Sequence, residues 1–287
     1  MKKVVVITGP TGIGKTSISV AIAKHFNAEI ISADSAQVYR DLNIGTAKIK
    51  ASEMQDVKHH LINIVTPPKT YDVASYQATA RNLIEQIERP FIVGGTGLYI
   101  QAAINDYDFS NEKRDESFEQ KYINYSNEDL HDLLVEQDLM LSQQIHPNNR
   151  RRVLRALSGS APKKKGKNKP IYDNLVIQLT LDRKTLYSRI NARVDEMMAE
   201  GLLEEVKELK EKGLTFNIIC YKQLNEYLDG KISLEEAVNE IKKVTRRYAK
   251  RQETWFNNQM DTVKIDVSNP LEAKEKIIKI IEEFYEV

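Results

Sequence analysis

The octapeptide GPTGIGKT, Gly9 to Thr16, has the form G-x-x-x-x-G-K-[ST] and lies between the apolar run VVVIT and an amphipathic segment, the context a phosphate-binding loop requires. Gly9, Gly12 and Gly14 let backbone N–H groups converge on an anion, with Pro10, Thr11 and Ile13 completing the loop. Lys15 can reach the terminal phosphate, and the Thr16 hydroxyl can hold Mg2+. A nucleoside triphosphatase adds a metal-holding aspartate after a later strand. Here the run FIVG passes into GTGLYI, and no acid follows until Asp106. The nearest placed carboxylate is Asp34, at the end of EIISA, and open α/β sheets gather their sites at the carboxyl ends of strands. By itself Asp34 reads as a turn former or helix cap. Beside a phosphate cradle it can instead take a proton from an attacking amine or hydroxyl. Gly94, Gly95 and Gly97 permit close approach at the same edge, where Thr96 offers a hydroxyl.

The elements that must carry these groups follow from periodicity. Short β-branched runs at 4–8, 29–33 and 91–94 alternate with amphipathic segments at about 15–26 and 72–88, and NLVIQLTL (174–181) is one more buried strand. The fold expected is α/β: a P-loop NTPase-like parallel sheet core flanked by helices, with a smaller helical insertion. The core takes 1–107 and 146–287. The polar, helical text of 108–145 forms the insertion. Long helices are expected at 183–212 and 233–259.

Composition narrows the class. The chain of 287 residues is 41% hydrophobic, enough for a core without staples, and its one cysteine, Cys220, excludes an internal disulfide framework and a cysteine-based zinc site. These features point to a cytoplasmic protein. MKKVVVITGP ends its apolar run in a glycine loop and not a cleavage site, and no run approaches the ~18 apolar residues of a membrane helix. His59 and His60 lack a third ligand at useful spacing and read as structural or surface residues.

A net charge of +1 hides segregation: residues 150–169 hold nine Lys or Arg and residues 242–251 hold six, with no acid in either run. Such patches generate a field that a phosphate backbone can feel. At a 3.6-residue period Val238, Ile241, Thr245, Tyr248, Gln252 and Trp255 form a stripe to be buried, while Lys243, Arg247, Lys250 and Arg251 crowd another that can face RNA. The run SGSAPKKKGKNKP reads as a solvated loop.

Three separated strings, GPTGIGKT, ADSAQVYRDLNIGTAK and VGGTGLYIQA, are joined downstream by IHPNNRRRVLRAL and TRRYAKRQETWF. In this order they resemble the bacterial tRNA dimethylallyltransferase (tRNA isopentenyltransferase) family from residue 4 to about residue 260, with 108–140 weakly matched. The resemblance implies transfer of a dimethylallyl group from dimethylallyl diphosphate to the N6 amine of the adenosine next to the anticodon of tRNA, with Mg2+ as cofactor. It implies that Thr11 to Thr16 grip the diphosphate, that Asp34 is the general base, and that Ser35, Ala36 and Gln37 line the approach of the tRNA. Thr96 matches the threonine near the target base, and Arg193 an arginine that clamps the diphosphate. Arg151, Arg152 and Arg155, with Arg150 before them, Tyr221, Lys222, Lys250 and Arg251 fall on the tRNA side. The expectation is a monomer that meets tRNA and the prenyl donor and no membrane. Two departures stand out: Cys220 occupies a glycine position of the family, and Ile49 a proline position. The P-loop taken alone also admits a small-molecule kinase, a prenyltransferase acting on free AMP or ATP, or a nucleic-acid binding module with a regulatory loop.

Overall fold

Val4, Val5, Val6 and Ile7 are wholly enclosed, as β-branched residues buried on both faces of a strand must be. In the computed structural model, which describes residues 1–107, 109, 116–159 and 169–286, they form the centre of β1 (Lys3–Thr8), followed by α1 (Lys15–His25), β2 (Glu29–Ala33), the two-residue β3 (His59–His60), α2 (Val73–Gln86), β4 (Pro90–Gly94) and α3 (Gly97–Ile104). Four helices come next: α4 (Glu116–Lys121), α5 (Asn127–Gln137), α6 (Leu139–Ser142) and α7 (Arg150–Leu157). The chain then forms β5 (Asp173–Thr180), α8 (Arg183–Ala199), α9 (Leu202–Glu211), α10 (Tyr221–Leu228), α11 (Leu234–Gln259), β6 (Val263–Asp266) and α12 (Pro270–Glu286).

The six strands make one all-parallel sheet in the order β3-β2-β4-β1-β5-β6. The expected α/β core is therefore present. Because β1, β2 and β4 are neighbours, the loops at their carboxyl ends, which hold Gly9, Asp34 and Thr96, emerge side by side. Core clusters cover both faces. One gathers Val5, Ile7, Ile13, Ile22, Phe91 and Ile277; the other gathers Val4, Val6, Ile31, Tyr76, Ile100 and Phe256. Val73–Gln86 and Leu234–Gln259 lie within a residue or two of expectation. The stretch 183–212 instead divides, because Gly201 adopts φ 102 and starts α9 in a left-handed conformation. β6 was not expected, being four residues with only Ile265 buried. Both histidines have structural partners: His59 Nδ1 lies 2.8 Å from the Val57 carbonyl and His60 Nε2 lies 2.6 Å from Glu29 Oε2.

Two compact units result: Met1–Asn105 with Pro170–Val287, and Asp106–Lys169. The sequence reading ends the insertion at 145, whereas α7 belongs to the second unit. Val153, Leu154, Ala156 and Leu157 of α7 pack with Leu130 and Leu134 of α5 in a cluster of their own. Its two ends are tied, since Asp106 N donates to Lys169 O and Lys169 N to Asp106 Oδ1. The lysine-rich run 163–168 lies outside the described residues. Among the described residues no helix is long and apolar enough to cross a membrane.

Candidate active site

The phosphate-binding loop turns through positive φ at Gly9, Gly12 and Gly14, and a β-carbon at Gly12 would stand 2.8 Å from Ile190 Cγ1, so both backbone angle and space demand glycine there. No side chain caps α1 at Gly14, which leaves the first amides of the helix open to an anion. Ile13 is buried in the core and anchors the loop, while Thr16 is exposed at the first turn. Lys15 folds back onto its own loop, its Nζ donating to the carbonyls of Gly9 (3.0 Å) and Pro10 (2.9 Å). Burial pulls the Lys15 pKa down to about 8. The negative charge of Asp34 opposes that shift, and the positive charge of Arg193 adds to it.

Asp34 stands just past β2. Its Oδ1 accepts from the amides of Ala36 (2.8 Å) and Gln37 (3.2 Å), so the turn-forming role is real. The carboxylate also lines a cavity of about 380 Å³ together with Thr11, Gly12, Ser35, Ala36, Arg193, Tyr248 and Arg251. Ile190, Val194, Met197, Ile218, Ile219 and Cys220 supply its apolar wall. A second cavity of about 400 Å³ shares Ala47, Arg193 and Met197 with the first and is lined further by Lys48, Lys50, Glu53, Asn63, Glu196 and Glu200. Arg193 belongs to both, is held below its ordinary pKa by burial, and has Asp34 as the largest opposing influence. Among the described residues no hydrogen bond or ion pair holds its guanidinium, and the residue lines both cavities.

Thr96 sits at the turn after β4. Its amide donates to Ala33 O (3.1 Å) and its hydroxyl accepts from the Ser35 amide (3.2 Å), binding this turn to the one that holds Asp34. Tyr248 of α11 reaches the same hydroxyl, and burial followed by the charge of Asp34 raises its pKa to about 12, so it remains a neutral phenol. Gly95 and Gly97 serve the protein itself: a β-carbon at Gly95 would be 2.2 Å from Gln252 Nε2, and one at Gly97 would be 2.1 Å from the Trp255 ring. Gln252 uses that approach to bridge two loops. Its Oε1 accepts from the Thr11 amide and its Nε2 donates to Gly95 O, both at 2.9 Å. The sequence placed Gln252 and Tyr248 in a buried stripe without a role; a glutamine at an apolar position was the available signal.

Other expected residues divide. Gln37 directs its amide to the carbonyls of Thr46 (3.1 Å) and Ala47 (3.3 Å), holding a neighbouring loop. Tyr221 is a correction: it is fully buried and its hydroxyl donates to Glu205 Oε1 at 2.6 Å, so it cannot present a surface to RNA. Lys222 beside it is exposed, 3.9 Å from Glu226. Lys250 and Arg251 diverge. Arg251 lies over the Tyr248 ring (5.7 Å) and lines the Asp34 cavity, whereas Lys250 lines a separate depression with Arg183 and Tyr187. Lys243 is paired with Glu240 at 2.8 Å, three residues away, so the basic stripe is partly neutralised. In the second unit, Arg150 donates to the carbonyls of Tyr122 and Tyr125 and is structural, while Arg151 and Arg152 are exposed and Arg155 is half-buried.

Cys220, the first departure, occupies φ 79 and ψ −58, a backbone state that glycine enters freely and cysteine does not. Its thiol is buried, which raises its pKa to about 12, and its amide donates to Gln223 Oε1 at 3.0 Å.

Comparisons with known proteins agree with one another. Residues 37–259 match the family described as IPP transferase. The tRNA dimethylallyltransferase of Bacillus licheniformis is 46% identical over 95% of this chain and 93% of its own length, and that of Bacillus subtilis is 45% identical over the same shares. Among solved structures, the full-length tRNA isopentenylpyrophosphate transferase of Bacillus halodurans aligns with a TM-score of 0.79 at 42% identity, covering 100% of this chain and 97% of that one. A eukaryotic dimethylallyltransferase acting on tRNA aligns with a TM-score of 0.86 at 30% identity, covering 100% of this chain and 80% of its own.

Proposed function

The chain belongs to the IPP transferase family, and from that premise we propose that it transfers the dimethylallyl group of dimethylallyl diphosphate to the N6 amine of the adenosine 3′-adjacent to the anticodon of tRNA. The observation that carries the reading is the cavity that Asp34 and Arg193 line together with Thr11 and Gly12 of the glycine loop. The charge of Asp34 also bears on Lys15 of that loop and on Arg193. A carboxylate so close to a diphosphate cradle suits deprotonation of a nucleophile better than phosphoryl transfer.

In this reading Gly9 to Thr16 hold the diphosphate through backbone amides, with Lys15 exchanging the carbonyls of Gly9 and Pro10 for phosphate oxygens and Arg193 bonding from the far side. The adenine nitrogen attacks the allylic carbon, the bond from that carbon to the diphosphate oxygen breaks, and its electrons leave with the diphosphate. Asp34 takes the proton lost from nitrogen. The phosphate loop meets the charge that builds on the leaving group. Ser35, Ala36 and Thr96 border the seat of the base, whose extrusion from a stacked loop costs a few kcal/mol, offset by contacts with the RNA backbone. Arg251, Lys222 and the α7 arginines Arg151, Arg152 and Arg155 are assigned to that backbone.

Mg2+ fits the donor set. Among the described residues no group of three His, Cys, Asp or Glu gathers to cage a metal. The exposed Thr16 hydroxyl at the loop's end suits an ion that takes few protein ligands and completes its shell with phosphate oxygens. When bound, the ion supplies positive charge to the departing diphosphate. The protein is taken to act as a monomer in the cytoplasm.

Incubation with labelled dimethylallyl diphosphate and unmodified tRNA, AMP or ATP tests the reading. Label is expected in tRNA. Label in AMP or ATP, or consumption of ATP with no prenyl transfer, would replace this function with one of its rivals.

A further inference from the structure

Glu205 lies in the first turn of α9 and lines neither cavity, yet its carboxylate makes four short bonds to groups that bear on both. Oε2 accepts from the amides of Asn43 (3.0 Å) and Ile44 (2.8 Å), and Oε1 from the amide of Gly45 (3.1 Å) and the hydroxyl of Tyr221 (2.6 Å). Three consecutive amides converging on one carboxylate form an anion nest whose anion is built into the protein. Position is set by packing: Leu202, Val206 and Leu209 of α9 are buried in one cluster with Leu42, Tyr221 and Leu224. The Tyr221 ring presses on the loop from the same side, since a β-carbon at Gly45 would lie 2.6 Å from it.

The loop held in this way is a shared wall. Gly45, Thr46 and Ala47 line the Asp34 cavity, while Asn43, Ile44, Ala47 and Lys48 line its neighbour. Gln37, whose own amide donates to Asp34, grips the same loop at Thr46 and Ala47. The negative charge of Glu205 also opposes, as the largest such influence, the fall in pKa that burial imposes on Lys48. Charge-assisted bonds of this kind are about twice as strong as neutral ones, so removing the charge while keeping the shape weakens the three amide bonds that tie the loop to α9.

We infer that Glu205 is a positioning residue for the reaction proposed above: from outside the cavity it fixes the 43–47 wall that seats the acceptor base against Asp34. The inference rests on that function, but its structural half is measurable alone. Glu205→Gln preserves volume and leaves one acceptor where four donors converge. By amide exchange, the Asn43, Ile44 and Gly45 amides are expected to exchange at least about tenfold faster in this variant, while those of β1 and β4 keep wild-type rates. In transfer assays kcat/KM for tRNA is expected to fall at least about tenfold, with donor affinity within about twofold and the melting transition above the assay temperature. Tyr221→Phe, which removes a single bond, is expected to show the same pattern at a fraction of the size, and its effect is expected to vanish in the Glu205→Gln background. Unchanged exchange at the three amides overturns the inference, as does equal loss of donor and tRNA affinity. If Glu205→Gln fails to fold, equal losses in Tyr221→Phe overturn it in the same way. Wild-type protein that prenylates no tRNA, with the exchange result intact, would instead remove the proposed function.

Discussion

At the scale of single residues, each functional group owes its chemistry to what surrounds it. Asp34 combines the turn role of any aspartate after a strand with a place in the cavity, and the two roles separate by substitution. Asp34→Asn keeps an acceptor for Ala36 and Gln37, so diphosphate binding is expected to persist while prenyl transfer falls by the ~10² to 10⁴ of a lost general base; single-turnover assays with saturating donor check it. Lys15 sets a pH limit of its own. With its pKa lowered to about 8, it carries the charge that a diphosphate favours only below that pH. Binding of the donor raises that pKa again, so donor affinity is expected to hold up to about pH 8 and then weaken by up to about tenfold per unit. Isothermal titration between pH 7 and 10 reads this directly. Lys48, also near 8 but bonded to Tyr39 O, Asn43 Oδ1 and Asn63 Oδ1, provides the control, for Lys15→Met should flatten the profile and Lys48→Met should not. Cys220 holds strain that can be measured by reversing a common order. Glycine is ordinarily about 0.5–1 kcal/mol less stable than alanine at a given position, but at φ 79 Cys220→Gly is expected to be at least as stable as Cys220→Ala in urea denaturation.

At the scale of elements, α11 organises the site more than any other helix. Its capping box, with Ser233 and Glu236 bonded reciprocally, starts it cleanly, and Ile241, Ala249 and Phe256 bury one face. That anchoring carries Tyr248 to Thr96, Gln252 to both loops and Arg251 to the cavity rim. Gln252 is the joint between the phosphate loop and the Thr96 turn. Gln252→Leu is expected to strand the Thr11 amide and the Gly95 carbonyl at roughly 1–3 kcal/mol each, and to weaken donor binding as the loop loosens. Gln252→Glu retains the acceptor for Thr11 while opposing a carboxylate to the Gly95 carbonyl, so it should lose stability while keeping more donor affinity than Gln252→Leu. Denaturation and donor titration on the same preparations distinguish the two. The other face of α11 illustrates why a charge run needs tertiary context. Lys242 pairs with Asp195 at 2.5 Å, Arg246 bonds Asn191 at 2.6 Å and Lys243 pairs with Glu240, so only part of the run remains to meet RNA.

At the scale of the whole molecule, basic groups on two separately packed units are assigned to one polyanion. Neutralising Arg251 is expected to weaken tRNA binding and to make the plot of log affinity against log salt shallower by about one unit, as is each of Arg151 and Arg152. Lys250 faces a different depression, and Lys250→Ala should leave prenyl transfer at saturating tRNA unchanged; filter binding across a salt series and single-turnover rates check both. The parallel α/β core was legible in the chain, because β-branched runs buried on both faces are a local signal, and so was the glycine-rich turn after β1, whose spacing is equally local. The placement of Asp34 and Thr96 side by side was legible for a related reason, since both follow strands and strand ends converge at one sheet edge. Where local pattern stopped informing, the tertiary structure decided. It put α7 with the insertion through a hydrophobic cluster that only three dimensions assemble, enclosed Tyr221 against Glu205, split Lys250 from Arg251, and gave Gln252 its two partners. Each of these outcomes depends on contacts between segments tens to hundreds of residues apart, and such contacts leave no period or spacing in the chain.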